Sequence, residues 1–127
     1  MELLRQERTT EQKSEEIKET LIQKRKEFSR KLEQTQRHLK TLLSSKGEPG
    51  GNGPDSPLIK GLSQRTEMLK ECLRNFDEAI INVDKGKYGI CENCGRPISL
   101  ERLKILPFTL YCTTCQKEIE NNRLTIN

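Results

Sequence analysis

The residues with the clearest chemistry are four cysteines in the last third of the 127-residue chain. They form two C-x2-C pairs, Cys91 with Cys94 and Cys112 with Cys115, and 17 residues separate the pairs. Paired cysteines at this spacing are typical of tetrahedral zinc sites, because a tight turn aims both sulfurs of a pair at one ion. Since four thiolates leave no coordination position for a substrate, the pattern predicts one structural zinc ion and no catalytic metal.

Two other uses of paired cysteines fit the sequence less well. A thioredoxin-like redox pair needs a βαβ context, which these residues do not predict. Disulfides are typical of exported proteins, whereas residues 1–8 lack the apolar segment of a signal peptide. No apolar run approaches the ~20 residues of a membrane span. We therefore expect a cytoplasmic protein that does not bind a membrane.

Outside the four cysteines, little in the chain suggests catalysis. His38 is the only histidine, so neither a Cys–His nor a Ser–His pair has an evident base. Cys72 lies beside an apolar repeat and no basic cluster surrounds it, which favours a half-buried, unreactive thiol over a reactive one. The sequence therefore predicts that the protein is not an enzyme.

The composition limits how these cysteines can be positioned. Only 31% of the residues are hydrophobic, 33% are charged and tryptophan is absent. Such a chain cannot build a thick apolar core. Three kinds of structure remain: a disordered chain, an extended helical structure, or a small domain that is stabilised by something other than an apolar core. Zinc ligation supplies on the order of 10 kcal/mol and removes the need for a large core around the cysteines.

Two apolar repeats flank a segment rich in glycine and proline. Residues 47–57 hold four of the eight glycines and three of the five prolines, so neither a helix nor a strand is expected there. The repeats, spaced as in a heptad pattern, are Ile17, Leu21, Phe28, Leu32, Leu39 and Leu42 before this segment, and Ile59, Leu62, Thr66, Leu69, Leu73, Phe76, Ile80 and Val83 after it. Two narrow seams of nearly equal length favour an antiparallel hairpin within one chain. Pairing between two chains is the alternative.

These patterns predict a mainly α fold with two domains. Residues 1–84 are expected to form a long antiparallel coiled-coil hairpin with a flexible tip loop at 46–57. Residues 85–127 are expected to form a small four-cysteine zinc module that ends in a short C-terminal helix.

A longer motif surrounds the cysteines and reads G-x-Y-G-x-C-x2-C-G-x2-I-x3-R-L-x3-P-x4-C-x2-C. Its residues are Gly86, Tyr88, Gly89, Cys91, Cys94, Gly95, Ile98, Arg102, Leu103, Pro107, Cys112 and Cys115. In this motif the chain resembles the DksA/TraR family of bacterial RNA polymerase regulators. The resemblance implies a protein that binds RNA polymerase and inserts its coiled-coil tip into the secondary channel without reading a DNA sequence. It also implies that the zinc module and the segment Gln116–Arg123 dock at the channel rim.

The chain departs from the family pattern at two places. Family members carry an acidic D-x-x-D-x-A motif at the tip, whereas this segment offers only Glu48 and Asp55. Asp55 is also readily explained as a turn residue or as a charge near the start of the second helix. The family's basic positions for guanosine tetraphosphate hold Leu106 and Gln116 here, so we expect no binding of this alarmone.

Two other functions compete with polymerase binding. A zinc-ribbon nucleic-acid binder would use a basic patch and neighbouring aromatic rings. The candidate residues are Lys85, Lys87, Arg96, Arg102 and Lys104, with Tyr88, Phe108 and Tyr111. The net charge of +4 is too small to favour nucleic acid on its own. A coiled-coil stress or adaptor protein that does not act in the polymerase channel is the remaining alternative.

Overall fold

Four helices make up most of the structure, a computed structural model that describes residues 10–44 and 56–126, with side chains for 13–44 and 56–122. In chain order they are α1 (Thr10–Ser44), α2 (Pro57–Asp84), α3 (Leu100–Ile105) and α4 (Thr113–Ile126). One isolated antiparallel bridge joins Ile90 to Pro97. Among the described helices, none combines the length and the apolar character that a membrane crossing needs. The predicted mainly α fold is confirmed.

Helix α2 begins where the glycine- and proline-rich segment ends. Its first residue is Pro57, and the amide of Lys60 donates to the carbonyl of Ser56 at 2.9 Å. Proline is favoured at the first helical position because its missing N–H would have no partner there. Residues 45–55, which include most of the predicted tip loop and both Glu48 and Asp55, lie outside the described residues.

The chain divides into two compact units. The first unit comprises residues 1–22 and 75–127, and the second comprises residues 23–74. In the first unit, Lys18 Nζ lies 3.1 Å from Asp84 Oδ1, so the early part of α1 lies beside the end of α2. In the second unit, Leu39 and Leu43 of α1 line a groove together with Ser63 and Thr66 of α2. Within each unit, therefore, a part of α1 lies beside a part of α2.

Heptad positions supply most of the buried side chains of α1 and α2. In the first unit Leu21 and Phe76 are almost fully buried, and in the second unit Leu69 is. Two threonines, Thr35 and Thr66, occupy heptad positions of the second unit and are also buried. Each threonine hydroxyl donates to the carbonyl four residues earlier, at 2.8 Å, so no hydroxyl hydrogen is left unpaired in the seam.

The C-terminal part of α2 buries a second face that the heptad pattern does not include. Ala79 and Asn82 are buried beside the seam residue Val83. In the first unit this part of α2 also contacts the C-terminal module, since the Phe76 ring lies 5.1 Å from the ring of Phe108 and the Asn82 side chain donates to Glu92. A helix that contacts partners on two sides needs a wider apolar face than a two-helix seam provides.

One exposed position of α2 offers a stabilising substitution. A Cβ added at Gly61 meets nothing within 4 Å, and the backbone there is helical. Because glycine loses more conformational freedom than alanine in a helix, Gly61→Ala should raise the free energy of unfolding by about 0.5–1 kcal/mol in a urea titration. Gly89→Ala is the matched control and should lower it, since Gly89 has φ +83° and its Cβ would lie 3.4 Å from Leu103 Cδ1. A loss of stability in Gly61→Ala would contradict a continuous α2.

Candidate metal centre

The four cysteines of the sequence motif meet at one point. Their sulfur atoms all lie within 4.8 Å of one another, and the sulfurs of Cys94 and Cys112 are 3.9 Å apart. Cys91 and Cys115 are buried, Cys112 is half-buried and Cys94 is exposed. In the described residues this is the one cluster of potential metal ligands with three or more members. Four converging sulfurs with one on the solvent side suit a tetrahedral ion near the surface of the module.

A tight turn presents the first cysteine pair. The amide of Gly95 donates to the carbonyl of Cys91 at 2.9 Å, and the amide of Cys91 donates to the carbonyl of Arg96 at 2.8 Å. Gly95 has φ +76°, a conformation that glycine adopts without the steric cost of a Cβ. The turn therefore depends on glycine directly after the second ligand, as the sequence indicated.

A helix start presents the second pair. Cys112 precedes the first residue of α4, and the amide of Gln116 donates to the carbonyl of Cys112 at 2.9 Å. Residues three apart share one face of a helical turn, so the sulfurs of Cys112 and Cys115 point the same way. The amide of Cys115 also lies 3.5 Å from Cys112 Sγ, where it stabilises negative charge on that sulfur.

Helix α3 and its flanks hold the two cysteine pairs together. The Arg102 Nε donates to the carbonyl of Tyr111 at 3.0 Å, directly before the second pair. The amide of Glu92, inside the first pair, donates to the carbonyl of Leu110 at 2.8 Å. Leu103 and Tyr111 pack against the buried cluster of the module. Arg102 was also a candidate for a nucleic-acid patch, but in the structure it positions the backbone of the cysteine site.

Hydrogen bonds and mutual repulsion set the protonation of the sulfurs. Burial acts to raise the pKa of Cys91, but backbone N–H groups of Cys94, Cys112 and Asn93 lower it to about 6. A hydrogen bond from Asn93 lowers the pKa of Cys115, yet the thiol of Cys112, burial and the thiols of Cys91 and Cys94 together raise it to about 12. Four sulfurs this close do not all ionise unless a cation lies among them. A soft divalent cation supplies that charge, and an all-thiolate donor set fits zinc.

The module also connects to α2 through polar and aromatic contacts. The Asn82 Nδ2 donates to Glu92 Oε2 at 2.9 Å, and the amide of Lys87 donates to the carbonyl of Asn82 at 2.7 Å. Glu92 lies between two cysteines of the site, so this contact fixes the first cysteine turn against the helix. Sequence reasoning did not identify the contact, because an asparagine ten residues before a glutamate carries no periodic signal.

The aromatic residues near the cysteines have partners inside the module. The Tyr88 hydroxyl donates to the carbonyl of Pro107 at 2.9 Å, and burial raises its pKa. Phe108 packs on Phe76, and Tyr111 packs against the cysteine cluster. A nucleic-acid site of the predicted kind needs aromatic faces open to bases. These three rings are at least partly buried, so the structure lends the nucleic-acid interpretation no support.

The remaining residues singled out in the sequence lie apart from the cluster. Cys72 is half-buried on α2, and burial together with the charge of Glu71 raises its pKa, which favours the unreactive thiol that we expected. His38 is exposed on α1. Leu106 and Gln116, at the positions compared with the alarmone-binding family members, are both half-buried.

Known proteins resemble this chain in the cysteine module and, for one relative, over most of its length. Residues 86–121 match the model of the prokaryotic dksA/traR C4-type zinc finger. An uncharacterised protein of Aquifex aeolicus is 48% identical over 48 residues, which are 38% of this chain and 33% of that protein. The RNA polymerase-binding transcription factor DksA of Caulobacter vibrioides is 27% identical over 105 residues, which cover 82% of this chain and 73% of the relative.

The fold has a counterpart among solved structures. Transcription factor DksA2 from Pseudomonas aeruginosa superposes with a TM-score of 0.61 and 23% identity, covering 87% of this chain and 84% of the other. This chain spans a third of the length of the Aquifex relative and about three quarters of the Caulobacter relative. The C4-type match and the four gathered sulfurs agree on the cofactor, which is one structural zinc ion.

Proposed function

Because residues 86–121 match the C4-type zinc finger of dksA/traR proteins, we propose that this chain is a member of the DksA/TraR family and that it regulates transcription by binding RNA polymerase. The observation that carries the proposal is the 105-residue alignment with an RNA polymerase-binding transcription factor. That alignment covers 82% of the chain, so it includes much of the helical part as well as the zinc module. If the similarity were confined to the module, a zinc ribbon with another function would be as good an explanation as a polymerase-binding protein.

The four cysteines act as zinc ligands in this proposal, and the zinc has a structural role. Cys91, Cys94, Cys112 and Cys115 hold the ion with no position open to a substrate. The protein then acts by occupying a surface of the polymerase and performs no reaction itself. The module provides the docking element in this proposal. The Glu92–Leu110 hydrogen bond links the first cysteine pair to the segment before the second pair, and the Arg102–Tyr111 hydrogen bond links α3 to that same segment.

The helical pair enters the secondary channel of the polymerase in this proposal. In sequence, Glu48 and Asp55 lie between α1 and α2. Either carboxylate is a candidate to approach the magnesium ions of the catalytic centre, since carboxylates are preferred ligands of that ion. We expect no recognition of a DNA sequence. We also expect no guanosine tetraphosphate site at Leu106 and Gln116, because neither residue supplies a cation.

Two measurements test the proposal with the zinc-loaded 127-residue chain. Immobilised protein should retain core RNA polymerase, and loss of that retention would refute polymerase binding. A photo-crosslinking amino acid at position 55 should then label polymerase residues that line the secondary channel. The same group at position 101, on the zinc module, is the control and should label the outer surface. Crosslinks from position 55 that appear only outside the channel would refute insertion while leaving polymerase binding intact.

A further inference from the structure

The side chain of Asn82 is a buried polar group near the end of α2. It is 7% exposed, although asparagine side chains are mostly found at the surface. Its Nδ2 donates to Glu92 Oε2 at 2.9 Å. A hydrogen bond to a carboxylate is stronger than one between neutral groups, and burial of the donor makes its loss costly. The bond is therefore a firm link between α2 and the residue that it reaches.

Glu92 belongs to the turn that presents the first cysteine pair. It directly follows Cys91, and its own amide donates to the carbonyl of Leu110 at 2.8 Å. The backbone N–H groups of the next two residues, Asn93 and Cys94, form hydrogen bonds to the sulfur of Cys91. A displacement of Glu92 therefore also moves the donors that stabilise negative charge on a metal ligand.

The other end of the bond is held by the backbone around the end of α2. The amide of Lys87 donates to the carbonyl of Asn82 at 2.7 Å, and the amide of Lys85 donates to the carbonyl of Ile81 at 3.1 Å. These bonds tie the last turn of α2 to the short segment that leads to Cys91. The Asn82 side chain thus makes a second connection, parallel to the chain itself, between the helix and the metal centre.

We propose that Asn82 is a positioning residue of the metal centre, and that its bond to Glu92 couples zinc retention to the last turn of α2. Groups that orient the surroundings of metal ligands typically change metal affinity by about 10–100-fold when they are removed. The coupling is reciprocal, so bound zinc must also stabilise the last turn of the helix. It concerns the zinc site alone and does not depend on polymerase binding.

Two lysines are the alternative anchor for the Glu92 carboxylate. Lys85 and Lys87 line the same cleft as Asn82 and Glu92. Both lysines are exposed, and an exposed ion pair contributes little because water and salt screen it. The Asn82 amide is buried, where a hydrogen bond to a charged group is electrostatically stronger. Asn82 is therefore the better candidate to hold the turn.

The experiment measures how fast the zinc-loaded 127-residue chain releases zinc to an excess of chelator. Asn82→Asp keeps the size of the side chain but replaces the donor with a second carboxylate, so it should release zinc about tenfold faster. The double variant Asn82→Asp with Glu92→Gln restores a donor and an acceptor with their roles exchanged. It should recover most of the wild-type retention, whereas a purely structural role of Asn82 predicts no recovery.

Glu92→Ala tests the same bond at an exposed residue, where misfolding is not expected. Zinc with four thiolates carries net negative charge, so loss of a nearby carboxylate should slow release if charge alone mattered. Faster release would therefore identify the hydrogen bond as the cause. Asn75→Asp, at a half-buried asparagine of the same helix, is the matched control and should leave the release rate unchanged.

Hydrogen exchange tests the reciprocal effect on the helix. Removal of zinc should speed the exchange of amides in residues 81–84 of the wild type, and zinc-loaded Asn82→Asp should already exchange faster there. Wild-type release rates in both Asn82→Asp and Glu92→Ala would overturn the proposal. So would an equally fast release in Asn75→Asp, or no recovery in the exchanged pair. Release from Lys85→Gln with Lys87→Gln that is as fast as from Asn82→Asp would assign the anchor to the lysines instead.

Discussion

Chelation of zinc should unfold the cysteine module. The buried cluster of the module consists of Cys91, Ile98 and Cys115, so two of its three buried residues are proposed metal ligands. A core this small cannot offset the conformational entropy of ordering the segment. Zinc ligation contributes on the order of 10 kcal/mol, which is more than the apolar burial supplies. We therefore expect residues 86–121 to lose amide protection in hydrogen exchange when a chelator is added.

Single substitutions separate this effect from a general loss of stability. Cys115→Ser removes a buried ligand and should reduce bound zinc from one per chain to nearly none, measured by metal analysis. Cys72→Ser is the control, because Cys72 is half-buried on α2 and belongs to no ligand cluster. It should keep one zinc and change the stability of the module little. Protected amides in residues 86–121 after complete chelation would contradict a zinc-dependent fold.

Acid should have the same effect as chelation. Zinc binds thiolates, so binding releases the protons that the cysteines would otherwise carry. The zinc-bound state therefore holds fewer protons than the metal-free state, and zinc affinity must fall as the pH falls. The pKa of about 6 for Cys91 makes this ligand available at neutral pH, whereas the raised pKa of Cys115 means that its proton leaves only when the metal displaces it. A zinc affinity that did not change between pH 8 and pH 5.5 would contradict this.

The metal centre was predictable because its signal is local. Two residues between paired cysteines specify a turn, and the positive φ of Gly95 shows why glycine follows the first pair. Sequence alone did not reveal how the two pairs are joined. Arg102 belongs to the recognised motif, but only the structure shows that its guanidinium donates to the carbonyl of Tyr111. Arg102 and Tyr111 are nine residues apart, and their contact depends on how α3 folds. No periodic pattern in the sequence indicates such a contact.

Helices α1 and α2 were predictable for a different reason. A heptad repeat reports which side of a helix meets one partner helix, and Leu21, Leu69 and Phe76 are buried as that repeat requires. The repeat does not indicate that α2 also contacts the cysteine module. Ala79 and Asn82 are also buried, and the Asn82 side chain donates a hydrogen bond to Glu92 of the module. Neither residue type indicates burial by itself. The roles of Glu48 and Asp55 stay predictions, since both lie outside the described residues.

The aromatic contact within the first unit should carry the largest effect of any substitution outside the cysteines. Phe76 is fully buried in the structure, and its ring centroid lies 5.1 Å from that of Phe108 in a tilted arrangement. Phe76→Ala removes a large buried ring and leaves a cavity, which typically costs about 3–5 kcal/mol. We expect this loss in the free energy of unfolding of the zinc-saturated protein, measured by urea titration. Leu100→Ala is the control and should change it by less than about 0.5 kcal/mol, because Leu100 is mostly exposed.

A double-mutant cycle then tests whether α2 and the module stabilise each other through this ring pair. Phe108→Ala should also destabilise the protein, by less than Phe76→Ala since Phe108 is only half-buried. The two losses should not add, and the coupling should be about 0.5–1.5 kcal/mol for a ring pair in contact. Both variants should keep one zinc, because no ligand is changed. Strictly additive losses would mean that the rings stabilise α2 and the module independently, and the contact would then not hold the module on the helix.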